Sequence, residues 1–207
     1  MTKAQKIFII VGPTASGKSA LAVELAKRFD GEVISADSRQ VYRGLDIGTG
    51  KITRAEMKGV PHHLLDVASP KKVFGAGVFL ARASAAIADI SSRGKLPIVV
   101  GGTGFYIDAL VGRITLADAP PDPALRKKLA GKTAVQLFAL LKKADPVRAQ
   151  RMDTPSERNN KVRLIRALEV ASVHKKTSTK DQKGIMLSSS YSRKIAYETY
   201  WIAINSP

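Results

Sequence analysis

The sequence predicts an α/β fold, a doubly wound parallel sheet with a small helical insertion, and three observations predict it. An apolar, β-branched run, Ile7-Phe8-Ile9-Ile10-Val11, leads straight into the glycine loop Gly12-Pro-Thr-Ala-Ser-Gly-Lys-Ser19 and then into a segment of helical period. Further short apolar runs alternate with helical patterns up to residue 117, the order that builds a parallel sheet. Past Ala117-Asp-Ala-Pro-Pro-Asp-Pro123 the period becomes wholly helical as far as about Ala171.

Each element has its reason. Ile7 to Val11 lacks polar alternation and reads as a strand buried on both faces. Leu21, Ala22, Leu25, Ala26 and Phe29 recur at helical spacing, with Lys27 and Arg28 in the last turn, where cations suit the helix dipole. Glu32 to Ser35 is a second short strand that ends in Ala36-Asp37-Ser38-Arg39-Gln40, and residues 44–63 read as an irregular, glycine-rich connection. His63 to Val67 is a further strand candidate. Phe79, Ala83, Ile87 and Ile90 make a helix closed by Gly94. Leu96 to Val100 is the clearest later strand, its Pro97 confined to the start, and Gly101-Gly-Thr-Gly104 turns it into another helix from Phe105 to Leu110. Asp122 and Pro123 suit an N-cap and first helical residue. Three helical pieces follow, broken near Gly131 and at Asp145-Pro146, the third (Asn159 to Val173) placing Arg163 and Arg166 on one face. Residues 174–194 are polar and basic and read as a loop or hairpin, and Tyr200 to Ile204 as a last buried strand. The resulting division is a core over 1–117, a helical insertion over 118–157 and a return to the core over 158–207.

Composition bounds the chemistry. A chain of 207 residues, 44% hydrophobic and 25% charged, supports one α/β domain plus a small elaboration. It has no cysteine, which excludes disulfides, zinc knuckles and thiol catalysis and suits the cytoplasm. The short polar stretch before Ile7 has no signal-peptide pattern, and no apolar run approaches the roughly 20 residues of a membrane span. A cytoplasmic monomer without a membrane partner is expected. Thirty-four Lys and Arg against seventeen acidic residues leave a net charge of +17, split as +7 over residues 1–103 and +10 over 104–207. Such a field favours a polyanion bound with strong salt dependence.

The glycine loop makes the core P-loop NTPase-like. Gly12 and Gly17 let the backbone curl so that successive N–H groups point at one anion, which makes Gly12, Pro13, Thr14, Ala15, Ser16, Gly17, Lys18 and Ser19 the candidate binding residues. Lys18 adds charge for a terminal phosphate and Ser19 a hydroxyl for Mg²⁺. The loop therefore binds a phosphate or pyrophosphate. Asp37, at a strand end, is placed to act as general base, to hold Mg²⁺ through water, or simply to cap a turn. Thr103 brings a hydroxyl among glycines toward the same crevice, or marks a plain strand-to-helix turn. His62 and His63 are adjacent and point to opposite faces, so with only His174 besides they read as structural. Arg126, Arg163 and Arg166 either meet phosphates or solvate helix faces.

Together these motifs closely resemble the tRNA dimethylallyltransferase (tRNA isopentenyltransferase) family. The matching segments are the glycine loop, Ile34-Ser-Ala-Asp-Ser-Arg-Gln-Val-Tyr-Arg-Gly-Leu-Asp-Ile-Gly-Thr49, Pro61-His-His-Leu64, Val100-Gly-Gly-Thr-Gly-Phe-Tyr106 and Arg166-Ala-Leu-Glu-Val170. The resemblance implies transfer of a dimethylallyl group from dimethylallyl pyrophosphate to N6 of the adenosine 3′ of the anticodon, with the anticodon stem-loop of tRNA as partner. It implies that Lys18, the loop amides and Mg²⁺ at Ser19 stabilise the leaving pyrophosphate, that Asp37 takes the N6 proton, and that Thr103 positions the reactants. It also implies tRNA contacts from Asp37, Ser38, Arg39, Gln40, Thr103 and Arg126, and from Val162, Arg163, Leu164, Ile165 and Arg166. Against the family pattern the chain is C-terminally short, and its 118–155 segment is a reduced helical insertion. The alternatives are a P-loop kinase using ATP on a nucleoside or other metabolite, a nucleotide-dependent RNA-binding switch, and a fragment that binds pyrophosphate and RNA without catalysis. The 34–49 segment argues against the kinase.

Overall fold

The computed structural model describes residues 5–117, 119–178 and 197–205. They form two compact units, one holding the described residues up to Leu116 and from Tyr197 onward, the other those between.

The first unit is a five-stranded, all-parallel sheet. Its elements are β1 (Lys6–Val11), α1 (Lys18–Arg28), β2 (Gly31–Ser35), α2 (Arg54–Met57), β3 (His62–His63), α3 (Ala76–Ser92), β4 (Leu96–Gly101), α4 (Gly104–Leu110) and, much later, a final strand Glu198–Ala203. The strand order is β3-β2-β4-β1 followed by that final strand. Alternation within each strand divides the core in two. Ile7, Ile9, Ile34 and Val99 pack with Phe79, Ala83, Ile87 and Ile90 of α3 on one face. Ile10, Val33, Ile98 and Val100 pack with Ala22, Val23 and Ala26 of α1 on the other. Each such isoleucine is fully buried and contributes roughly 1.5–3 kcal/mol. Helices on both faces explain why these strands read as continuous apolar runs.

The topology brings three strand ends side by side. The chain passes from β1 to β2 across the place that β4 later fills. The Ala36 N–H donates to Val100 O at 2.7 Å, and the Thr103 N–H to Ala36 O at 3.3 Å. Two glycines allow this closeness. A Cβ on Gly101 would lie 2.3 Å from Ala36 O, and one on Gly12 would lie 2.6 Å from Ile204 O.

Some elements differ from expectation. The candidate strand at His63 to Val67 is confined to His62–His63, because Leu64 and Asp66 adopt φ of +65° and +56° and turn the chain away. Residues 44–63 contain a single 3₁₀ turn, Ile47–Thr49, as well as α2. Phe29 lies just beyond α1 and is half exposed rather than on its core stripe. The last strand is not buried either. Among the described residues it pairs with β1 alone, so one face of Tyr200 and Trp201 meets solvent, with the Arg113 guanidinium 4.3 Å from the Trp201 ring.

The second unit is helical: α5 (Pro123–Leu129), α6 (Ala134–Ala144), α7 (Pro146–Arg151), α8 (Pro155–Arg158) and α9 (Lys161–Ser178). With these numbered, the final strand is β5. Asp122 caps α5 by accepting from the Leu125 N–H at 2.9 Å, with Pro123 in the first turn. Thr133 and Gln136 form a reciprocal capping box on α6, and Asp145 caps α7. Leu164, Ala167 and Leu168 form an apolar stripe packed with Leu129, Leu137 and Leu141. That stripe puts α9 in the helical unit; of residues 158–207, which the sequence division assigned to the core, the described residues from Tyr197 onward, β5 among them, lie in the sheet unit. The basic stretch 174–194 begins inside α9, and the rest of it lies outside the described residues. No described helix is long and apolar enough to cross a membrane.

Candidate functional site

The glycine loop leaves β1 and enters α1 through left-handed turns at Ala15 (φ +62°) and Gly17 (φ +81°), the latter being the N-cap. No side chain caps α1, so its first N–H groups and the positive end of its dipole face the loop. The Lys18 ammonium folds over that loop, donating to the Pro13 carbonyl and lying 3.4 Å from Ser16 Oγ. Burial lowers its pKa, while the nearby Asp37 carboxylate opposes the shift. Lys18 and Asp37 therefore sense each other electrostatically.

Asp37 follows β2. Its Oδ1 accepts from the Arg39 N–H at 2.8 Å and the Gln40 N–H at 3.2 Å, an Asx-type turn. One oxygen fixes the loop, and Oδ2 has no hydrogen-bond partner among the described residues. Thr103 is bound into the same assembly, its Oγ1 accepting from the Ser38 N–H at 3.0 Å. That bond still leaves the Thr103 O–H free to donate. The loops after β1, β2 and β4 thus supply a cation, a carboxylate and a hydroxyl.

Gln40 behaves otherwise. Its Oε1 accepts from Ser35 Oγ, and its Nε2 donates to the carbonyls of Thr49 and Gly50, each at 3.3 Å. The amide expected to touch a nucleotide thus braces the next loop. Sequence reasoning missed a second brace, Lys51. Its side chain is only 4% exposed, and Nζ donates to Tyr42 O at 2.8 Å, Asp46 Oδ1 at 2.6 Å and Asp66 Oδ1 at 2.5 Å. A lone lysine in a glycine-rich stretch carries no sequence signal of burial. The braced loop lines an open cavity of about 600 Å³ with Arg39, Tyr42, Leu45, Asp46, Ile47 and Thr49.

The two histidines have separate partners. His62 Nδ1 contacts Val60 O at 2.8 Å, and His63 Nε2 contacts Glu32 Oε2 at 2.8 Å. Buried Glu32 also takes Arg93, whose hydrogen bonds are the main reason its pKa falls to about 2.

In the helical unit the nominated residues scatter. Leu164 is completely buried in the apolar stripe, so its side chain has no surface for RNA, and Ile165 is part-buried against the same cluster. Val162 is exposed. Arg163 pairs with Glu157, whereas Arg166 reaches Glu169 at 3.2 Å, so the two arginines diverge despite their spacing. Arg126 grips the same Glu169 through Nε at 2.6 Å and Nη2 at 3.0 Å.

Comparison with known proteins gives one answer. The IPP transferase family model matches residues 40–207. A tRNA dimethylallyltransferase of Leuconostoc citreum is 45% identical over 196 residues, 93% of this chain and 65% of that protein. A solved eukaryotic dimethylallyltransferase acting on tRNA superposes with a TM-score of 0.76 at 30% identity, covering 99% of this chain and 49% of that one. The tRNA isopentenylpyrophosphate transferase of Bacillus halodurans gives a TM-score of 0.54 at 45% identity, covering 81% and 55%. The chain spans less than two thirds of the length of the curated relatives compared.

Proposed function

The chain belongs to the IPP transferase family, and from that premise we propose that it transfers a dimethylallyl group from dimethylallyl pyrophosphate to N6 of the adenosine 3′ of the tRNA anticodon. The observation that carries this reading is the joining of three strand-end loops: Thr103 holds the Ser38 N–H, and the adjacent Asp37 carboxylate faces the field of Lys18. A phosphate cradle alone suits many reactions. A cradle with a fixed carboxylate beside it suits a nucleophile that must lose a proton as a pyrophosphate leaves.

The geometry supports the following division of roles. Lys18 and the N–H groups at the start of α1 bind the pyrophosphate and stabilise the charge it gains as the carbon–oxygen bond breaks. The N6 lone pair forms the new carbon–nitrogen bond, and its proton passes to Asp37 Oδ2. The Thr103 hydroxyl orients the adenine or the reacting end of the donor. The target base leaves its stack to reach this crevice, at a cost of a few kcal/mol. Ser38 and Arg39 contact that nucleotide from the Asp37 loop. Arg126, Val162, Arg163 and Arg166 contact the tRNA, a use for the net charge of +17.

Ser19, second residue of α1, offers a hard hydroxyl oxygen, a donor Mg²⁺ accepts together with phosphate oxygens and water. Bound there, Mg²⁺ would offset pyrophosphate charge. The same proposal has the protein act in the cytoplasm as a monomer.

The test is direct. Protein, Mg²⁺, unmodified tRNA and labelled dimethylallyl pyrophosphate are incubated, and the digested tRNA is searched for prenylated adenosine. Labelled N6-prenyladenosine is the expected product. ATP turnover without prenyl transfer would overturn the reading in favour of a kinase.

A further inference from the structure

Glu169 of α9 is 1% exposed and fully engaged. Its Oε1 accepts from the Asp122 N–H at 2.9 Å and from Arg126 Nε at 2.6 Å. Its Oε2 accepts from Arg126 Nη2 at 3.0 Å and Arg166 Nη1 at 3.2 Å. Four donors fill the acceptor capacity of a carboxylate. Burial by itself would raise its pKa, but the hydrogen bonds from Arg126, the Asp122 N–H and Arg166 hold it at about 2. The group is ionised at any working pH.

Two guanidiniums share this one carboxylate, so the cluster keeps a surplus positive charge. Among the described residues neither Arg126 nor Arg166 has a second acidic partner. Arg126 commits two of its five N–H groups to Glu169 and Arg166 commits one of five. Their side chains are 45% and 38% exposed, so the remaining donors are within reach of a solvent-side anion. A free arginine loses much rotamer freedom when it grips an anion, whereas one already fixed by a fork of hydrogen bonds loses less.

We infer that Glu169 is a positioning residue for RNA: it holds Arg126 and Arg166 as a preformed two-guanidinium clamp for tRNA phosphates. The inference rests on the proposed tRNA reading, and it differs in sign from simple electrostatics. Replacing Glu169 by Gln removes a negative charge beside two arginines, which alone would tighten tRNA binding. A positioning role makes the same change weaken it.

The experiment measures tRNA affinity of the whole chain at two salt concentrations, alongside its affinity for inorganic pyrophosphate, a probe of the glycine loop. Glu169→Gln is expected to weaken tRNA binding about fivefold or more with pyrophosphate binding unchanged. Arg126→Lys, which keeps the charge but cannot bridge both carboxylate oxygens, is expected to weaken it similarly. Unchanged or tighter tRNA binding by a folded Glu169→Gln variant overturns the inference. Should Glu169→Gln also lose pyrophosphate binding and so be misfolded, Arg126→Lys decides, and wild-type tRNA affinity in that variant overturns it. A wild-type chain that binds pyrophosphate but not tRNA overturns the tRNA reading itself, and the inference with it.

Discussion

Adding one methyl group at Gly101 should disable the site from beneath. The new Cβ would lie 2.3 Å from Ala36 O, 2.5 Å from Ala36 C and 3.0 Å from Ala36 Cα. All three are backbone atoms, so no side-chain rotation relieves the clash. Restoring an ordinary contact needs a shift of roughly 1 Å at the end of β2, which strains the hydrogen bonds from Ala36 to Val100 and from Thr103 to Ala36. Overpacking of this kind costs about 2 kcal/mol, or about 4–8 °C in melting temperature for a chain of this size. The same shift carries Asp37 and Ser38 with it, and a displacement of about 1 Å in a reacting group lowers rate by about 10²-fold. Gly102→Ala is the control, because its Cβ would meet nothing closer than Gly12 O at 3.6 Å. The assay is kcat/KM for prenyl transfer together with a thermal melt of both variants. Gly101→Ala indistinguishable from Gly102→Ala in both measurements would refute the argument that the close approach of β2 and β4 sets the site.

Other outcomes test single groups. Asp37→Asn keeps an oxygen to accept from Arg39 and Gln40, so pyrophosphate affinity should hold within about twofold while kcat falls about 10²-fold or more; equal loss of pyrophosphate binding would assign Asp37 to the metal instead. Glu32 has its pKa depressed from 4.5 to about 2, so its stabilisation is complete above pH 4.5 and is lost as pH falls from 4.5 toward 2. Melting curves across that window should show Glu32→Gln losing less stability than wild type on acidification, by at most about 3 kcal/mol. Lys51→Met removes three hydrogen bonds of a buried ammonium but leaves Asp46 and Asp66 partly solvated, so a loss of about 1–2 kcal/mol is expected in urea denaturation. An unchanged urea midpoint would show that this brace contributes nothing.

Much of the sheet unit was legible because its signals are local. The apolar run before Gly12 and the spacing of Phe79, Ala83, Ile87 and Ile90 report strand and helix through nearest neighbours along the chain, and all four α3 positions are fully buried. The Asp122–Pro123 start of α5 is local too. Reasoning failed where the answer depended on distant partners. Tyr200 to Ile204 has the composition of a core strand, but β5 has a single neighbour strand among the described residues and so stays half exposed. Arg163 and Arg166 share a helix face by spacing, but Glu157 and Glu169 draw them apart. Gln40 and Lys51 carry no local sign of their acceptors, which lie up to fifteen residues away: Thr49 and Gly50 for Gln40, and Tyr42, Asp46 and Asp66 for Lys51.

The amino-acid sequence by itself determined the glycine loop between a strand and a helix, the α/β alternation, the basic surplus and the motifs of the family. Each depends on residue type and short-range spacing. Only the tertiary structure decided which groups meet. The crossing of β1 and β2 around β4 sets Thr103 against Ser38, and the packing of α5 on α9 places two arginines on one buried glutamate. Those contacts join residues tens of positions apart, and such partnerships have no signature in local periodicity, because they depend on where the chain returns.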